Sequence, residues 1–277
     1  MSAPLDDLAA GRTIDIGGVA THYHDAGEGP PLLLIHGSGP GVSAWANWRL
    51  VMPILAKSFR VLAYDQLGFN KTIPANGGFG RERWTRHGLA FADAMGLDKF
   101  DVIGNSMGGS IAFSMAATVP GRIGRILNMG TLGVPSLIPP GLDEVWAYTP
   151  SEANMKRAIE LLAYDQRINT PDLVRLRLEA SQDPAADAAW RAMFPAPRQR
   201  WHDDLSLSWD ELAAITQQVL LVHGYNDQVV PFAKTSLVLM DVLQDVRMHV
   251  FANTGHWVQI ERTSEFCRLA ESFFTAA

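Results

Sequence analysis

The pentapeptide Gly104-Asn105-Ser106-Met107-Gly108 lies between an apolar run, Phe100 to Ile103, and a stretch with helical character, Gly109 to Thr118. This pattern fits a strand that turns sharply into a helix and lifts a serine hydroxyl off the carboxyl end of a sheet. Only small residues fit beside such a turn, and a glycine stands two positions before and two after Ser106. Gly-x-Ser-x-Gly also occurs by chance, so the motif constrains the fold only together with its surroundings.

Those surroundings alternate. Strands are expected at about Thr13 to Ile16, Ala20 to Asp25, Pro31 to His36, Arg60 to Tyr64, Phe100 to Gly104, Ile123 to Met129, Val219 to His223 and Arg247 to Phe251. From the third onward they alternate with helical segments, which predicts a mostly parallel sheet. Gly17 and Gly18 separate the first two, a hairpin signal that makes this end of the sheet antiparallel.

Between about Leu137 and Ser208 the strand rhythm stops. Thr149-Pro150-Ser151-Glu152 reads as a capping box with proline at the first helical position, and Thr170-Pro171-Asp172 opens a second helix in the same manner. Residues 137–208 therefore read as a helical lid inserted after the sixth strand, with 1–136 and 209–277 as the core. The alternative is a second structural domain with no part in the chemistry, but long insertions near strand ends are usually functional.

At 277 residues the chain holds one large α/β domain, or a core plus an insertion. A net charge of −6 argues against a nucleic-acid surface and means that an anionic ligand needs a local cation. Cys267 is the only cysteine, which excludes an intrachain disulfide framework and a multi-cysteine zinc site and fits a reducing cytoplasm. Met1 to Arg12 is acidic at Asp6 and Asp7 and lacks the basic start and apolar core of a signal peptide. No apolar run approaches the ~20 residues that span a bilayer. No metal and no cofactor are expected, and neither a nucleic acid nor a membrane as partner.

A serine hydroxyl needs a base within hydrogen-bond reach and a third group to orient that base. After the seventh strand comes His223-Gly224-Tyr225-Asn226-Asp227, and after the eighth Asn253-Thr254-Gly255-His256-Trp257. Both place a candidate at the carboxyl end of the sheet, and the order Ser106, Asp227, His256 is that of an α/β-hydrolase triad. Of the other histidines, His22 and His24 share one face of the early hairpin and are expected to be solvated, His249 lies inside a strand, and His36 and His223 end strands before glycine turns. Asp65, the main rival for the acid, reads as a turn carboxylate that holds loop amides. The amides of Ser38, in His36-Gly37-Ser38-Gly39-Pro40-Gly41, and of Met107 would form an oxyanion pair. That glycine loop lacks the lysine that a phosphate loop requires.

The run from His36 to Arg49, combined with Gly104-Asn105-Ser106-Met107-Gly108-Gly109 and Gly255-His256-Trp257, resembles the meta-cleavage product hydrolases of the α/β-hydrolase superfamily. The resemblance spans essentially the whole chain and implies an α/β-hydrolase fold, an eight-stranded mostly parallel sheet flanked by helices. It also implies hydrolysis of a carbon-carbon bond in 2-hydroxy-6-oxo-hexa-2,4-dienoates, a small anionic substrate, and a homo-oligomer. At the family's substrate-binding positions stand Gly39, Asn47, Asn105, Arg177 and Trp257. Ser38 in the glycine loop and the run Val42-Ser43-Ala44-Trp45 look more like members that accept hydrogen or a small alkyl group at C6.

Arg177 also stands out without the resemblance. On a helix beginning near Pro171 its neighbours three and four positions away are Leu173, Val174, Ala180 and Ser181, so it has no local carboxylate. Arg175 has Asp172 and Glu179 and reads as a solvated surface residue. An arginine on a semi-apolar face wants an anion from elsewhere: a substrate carboxylate, or a salt bridge to another part of the lid or another subunit. The rivals to carbon-carbon hydrolysis are a carboxylesterase or cofactor-free perhydrolase with the same triad, and a binding protein that captures a ligand under the lid. Serine at position 106 disfavours dehalogenases and epoxide hydrolases of this fold, which use aspartate there.

Overall fold

A computed structural model describes residues 5–276. The expected absence of a leader in Met1–Arg12 rests in part on residues 1–4, which lie outside them. Eight strands form one sheet: β1 Arg12–Ile16, β2 Val19–Ala26, β3 Pro31–Ile35, β4 Arg60–Tyr64, β5 Phe100–Asn105, β6 Ile123–Met129, β7 Val219–Gly224 and β8 Val246–Phe251. Their order is β1-β2-β4-β3-β5-β6-β7-β8, and only the β1–β2 and β2–β4 pairings are antiparallel. Gly17 and Gly18 turn the first hairpin with φ of 60° and 85°, a pair of positive angles that glycine adopts without strain.

Alternation along the strands builds two cores. In β3, Leu33 and Ile35 face the helices Arg81–Ala94 and Met107–Thr118, while Leu32 and Leu34 face the helices Ala44–Trp48 and Thr263–Thr275. Both faces of this central strand are wholly buried, which is why it reads as a continuous apolar run.

Between β6 and β7 the described residues contain no strand. Six α-helices lie there, Pro140–Trp146, Glu152–Leu162, Pro171–Ser181, Pro184–Met193, Gln199–Leu205 and Trp209–Ala213, with a short 3-10 helix at Gln166–Ile168. Thr170 caps its helix as expected, its side chain accepting from the Leu173 amide at 3.2 Å with Pro171 in the first turn. The other cap differs from expectation. Ser151, not Thr149, accepts from the Asn154 amide at 3.1 Å, and Pro150 precedes the cap. Asn154 holds Thr149 instead, donating to its carbonyl at 2.9 Å.

The expected solvation of His22 and His24 is also corrected: they are 5% and 1% exposed. The helix Leu5–Ala10 covers them, because His24 Nδ1 donates to the Leu8 carbonyl at 2.7 Å and His22 Nε2 to the Ala10 carbonyl at 3.0 Å. Arg175 is solvent-exposed and paired with Asp172 at 3.0 Å, as its spacing predicts.

Candidate active site

Ser106 sits at the junction of β5 and the helix Met107–Thr118 with φ 54° and ψ −116°, a strained conformation for a residue with a side chain. The flanking glycines are steric requirements. A Cβ on Gly104 would lie 2.6 Å from the Gly109 Cα, and one on Gly108 would enter the carbonyls of Ile35 and His36. The Ser106 amide donates to Met129 O at 2.9 Å and its carbonyl accepts from Leu132 at 3.0 Å, so the turn is anchored to the end of β6.

Asp227 is fully enclosed and takes four donors. Oδ1 accepts from the amides of Val229 and Val230, both at 2.8 Å, and Oδ2 from His256 Nδ1 at 2.7 Å and His223 Nε2 at 3.1 Å. Burial alone would push its pKa up. The neighbouring His256 and the bonds from both histidines outweigh that and hold it well below the usual carboxylate range. With Nδ1 bound to Asp227, His256 keeps Nε2 for other work.

From sequence His223 reads only as the end of a strand. Its Nε2 faces two acceptors, Asp227 Oδ2 and, at 2.7 Å, the Val230 carbonyl, so that nitrogen carries a proton. Nδ1 meets the Ser236 hydroxyl at 2.7 Å. A hint lay in the spacing: His223 stands four residues before Asp227 across a glycine turn.

Ser38, Gly39, Asn47, Asn105, Ser106, Arg177, His256 and Trp257 line one cavity of about 250 Å³, joined by Leu162. Of the expected site residues only Met107 and Asp227 do not line it. Met107 opens its helix, where amides are not consumed within the helix, and Asp227 stands behind His256. The glycine loop lies against the serine: a Cβ on Gly37 would come within 2.9 Å of the Ser106 Cβ. Asp65 accepts from the amide of Ala44, the first residue of the helix that follows this loop, at 2.6 Å. The Trp146 indole donates to Ser38 Oγ at 2.9 Å, a contact that the aromatic content of the insertion did not specify.

Arg177 is 5% exposed and has no carboxylate partner among the described residues. Nη2 donates to the Pro40 carbonyl at 2.9 Å, and Nε is buried without a partner. Burial, and then the charge of Arg49, lower its pKa to about 10, so it remains a cation at neutral pH. Asn47 Nδ2 is likewise buried and unpartnered, while Gln259 Nε2 approaches Asn47 Oδ1 at 3.4 Å. Two residues that line the serine's cavity thus each carry a buried donor without an acceptor.

A second hollow of about 420 Å³ shares Gly39 and Val42 with this cavity and runs between the glycine loop and Tyr148, Asp187 and Trp190. Though larger, it contains none of the reactive groups. Among the described residues no cluster of acidic, histidine or cysteine side chains could hold a metal, and no helix is long and apolar enough to cross a membrane.

A sheet of this order with a serine on the sharp turn after β5 and acid and imidazole after β7 and β8 defines an α/β hydrolase. The model of the alpha/beta hydrolase fold family matches residues 30–263, and the chain belongs to that family. Within it the chain is a meta-cleavage product hydrolase. It is 44% identical to the 2-hydroxymuconate semialdehyde hydrolase of Pseudomonas sp. (strain CF600), covering 100% of this chain and 98% of that protein. It is 43% identical to the 2-hydroxy-6-oxo-2,4-heptadienoate hydrolase of Pseudomonas putida (strain F1), covering 96% of each. A meta-cleavage product hydrolase from Pseudomonas fluorescens IP01, solved as a mutant complexed with acetates, superposes with a TM-score of 0.94 at 43% identity over 97% of this chain and 98% of that one.

Proposed function

We propose that this chain hydrolyses a carbon-carbon bond in 2-hydroxy-6-oxo-hexa-2,4-dienoates, products of extradiol cleavage of catechols, giving a 2-hydroxypenta-2,4-dienoate and a carboxylic acid. The observation that carries it is Arg177: a buried guanidinium with no carboxylate of its own lines the cavity of Ser106 and His256. A neutral ester would leave that charge uncompensated. A dienoate's carboxylate supplies the missing partner.

Cleaving a carbon-carbon bond expels a carbanion, so the substrate must provide an electron sink. The bound dienol first becomes its keto tautomer, with His256 as the proton shuttle. Ser106, or a water that it polarises, then adds to C6, and the amides of Ser38 and Met107 stabilise the oxyanion. The C5–C6 bond breaks, its electrons flow into the 2-oxo acid end, and the resulting dienolate takes a proton at the C2 oxygen, C5 having gained its own in the keto step. Water supplies the hydroxyl of the released acid. Arg177, Asn47 and Asn105 hold the acid end, Gly39 lets it approach the loop closely, and Trp257 walls the site.

Hydrogen or methyl at C6 is the expected preference, in keeping with the names of the two relatives compared. Residues 137–208 act as the lid in this scheme. We further infer a cytoplasmic homo-oligomer, supported by the single cysteine and by family likeness, which sedimentation of the purified protein tests. The function itself is tested by mixing the protein with dienoates bearing hydrogen, methyl or phenyl at C6. Loss of the dienolate colour, fastest with the two small groups, is expected, and no loss with any of them contradicts the assignment.

A further inference from the structure

Glu261, in the short helix Val258–Glu261 that follows His256, binds two separate segments with one carboxylate. Oε1 accepts from the amide of Gly255, the residue before His256, at 2.8 Å. Oε2 accepts from the amides of Tyr164 at 3.0 Å and Asp165 at 2.8 Å, which follow the helix Glu152–Leu162 in the insertion. The two main chains also touch directly. Trp257 donates to the Leu162 carbonyl at 3.1 Å, and a Cβ on Gly255 would lie 2.7 Å from the Tyr164 nitrogen and 2.9 Å from the Leu162 oxygen. Leu162 itself lines the cavity with Ser106 and His256.

The next residue closes the loop from the other side. Arg262 donates to Thr254 Oγ1 at 2.9 Å and to the carbonyls of Ala252 and Asn253 at 3.1 Å. The Thr254 carbonyl in turn accepts from Asn226 at 3.0 Å, beside Asp227. Burial disfavours the charged form of Glu261, and the three amide bonds only partly offset this, so its pKa is raised. Its two oxygens both act as acceptors, each facing main-chain donors of a different segment.

We propose that Glu261 is a positioning residue that makes residues 162–165 and the loop 255–257 one mechanical unit, so that the helical segment over the cavity and the His256 imidazole move together. This rests on His256 as the base of the proposed reaction. A substrate carboxylate that binds Arg177, itself part of the insertion, and so draws the insertion toward the cavity would then also set the imidazole against the serine.

The test uses Glu261→Gln, which keeps one acceptor and turns an NH2 toward amide donors, and the pair Asp165→Pro and Asp165→Ala. Asp165 has φ −77°, which proline accepts, so Asp165→Pro deletes the amide and Asp165→Ala controls for the side chain. Hydrogen exchange is followed by mass spectrometry in peptides covering 162–166 and 253–258, beside kcat and KM on a dienoate and Tm. Glu261→Gln is expected to speed exchange in both segments and lower kcat by roughly ten- to a hundredfold, with KM moving less. Relative to Asp165→Ala, Asp165→Pro is expected to speed exchange around Gly255 as well. Acceleration confined to 162–166 in Asp165→Pro overturns the proposal, as does an unchanged kcat in a folded Glu261→Gln. If Glu261→Gln fails to fold, the Asp165 pair decides through exchange alone. A wild-type protein inert toward dienoates removes the proposed reaction and leaves the exchange test standing.

Discussion

The guanidinium carbon of Arg177 lies 4.9 Å from the centroid of the Trp257 ring, so the residue that follows His256 carries a buried cation over its ring. A cation over an indole gains about 0.5–2 kcal/mol, more as water is excluded. Trp257→Leu keeps an apolar wall but removes this attraction, and Arg177 then has only the Pro40 carbonyl to hold it. The expected outcome is a raised KM for dienoates, with turnover of a neutral nitrophenyl ester changed little. Parallel loss on both substrates contradicts a role through Arg177.

His223 and His256 share one oxygen of Asp227, at 3.1 and 2.7 Å. Hydrogen bonds to a charged group contribute about 1.5–3 kcal/mol, so removing the His223 donor is expected to lower kcat by roughly ten- to a hundredfold if Asp227 turns. His223→Leu tests this, and His223→Gln, which can return an N–H near the Nε2 position, is expected to recover part of the loss. Ser106→Ala and His256→Ala should each remove most turnover without unfolding the chain, a far larger effect. Equal rates in His223→Leu and wild type would strip His223 of any part in orienting the acid.

Both ring nitrogens of His22 face acceptors, the Asp65 carboxylate at 3.1 Å and the Ala10 carbonyl at 3.0 Å, so the ring is an imidazolium in this geometry. The bond to Asp65 raises its pKa above 6.5 against the opposing effects of burial and Lys71. A raised histidine pKa gives stability that is fully present below the unfolded value and lost as pH rises through the folded one. Asp65 is the opposite case: burial raises its pKa, but the His22 bond, the nearby His36 and the Ala44 and Asn70 donors lower it overall. Its contribution is therefore lost only in acid. Wild-type Tm is expected to fall as pH rises above the ordinary histidine range, with a shallower fall in His22→Gln. Identical slopes for the two proteins would contradict a charged His22.

What was legible in the sequence follows from local physics. Strands such as β3 and β7 hold apolar runs followed by a histidine and a glycine, and the steric demand around Ser106 writes glycines at 104 and 108. Asp227 and His256 could be singled out because each follows a strand on a loop, and the structure places them 2.7 Å apart. What was not legible depends on segments distant in sequence. Nothing near His22 and His24 says that the helix Leu5–Ala10 will cover them, so a polar pair on a hairpin face reads as solvated. Ser151 takes the cap in place of Thr149 because Asn154 engages both residues, a choice that a motif with two hydroxyls leaves open. The roles of Gln259 and Glu261 depend on which main chain folds against them, and His223 was hidden by the glycine turn that brings it to Asp227.

Arg177 is expected to serve a substrate carboxylate opposite the serine, which kcat/KM of Arg177→Ala and wild type on a dienoate and on a neutral nitrophenyl ester tests most directly. A loss of about 2–4 kcal/mol in transition-state stabilisation is expected for the dienoate alone. Equal losses on both substrates, or none on the dienoate, would contradict it.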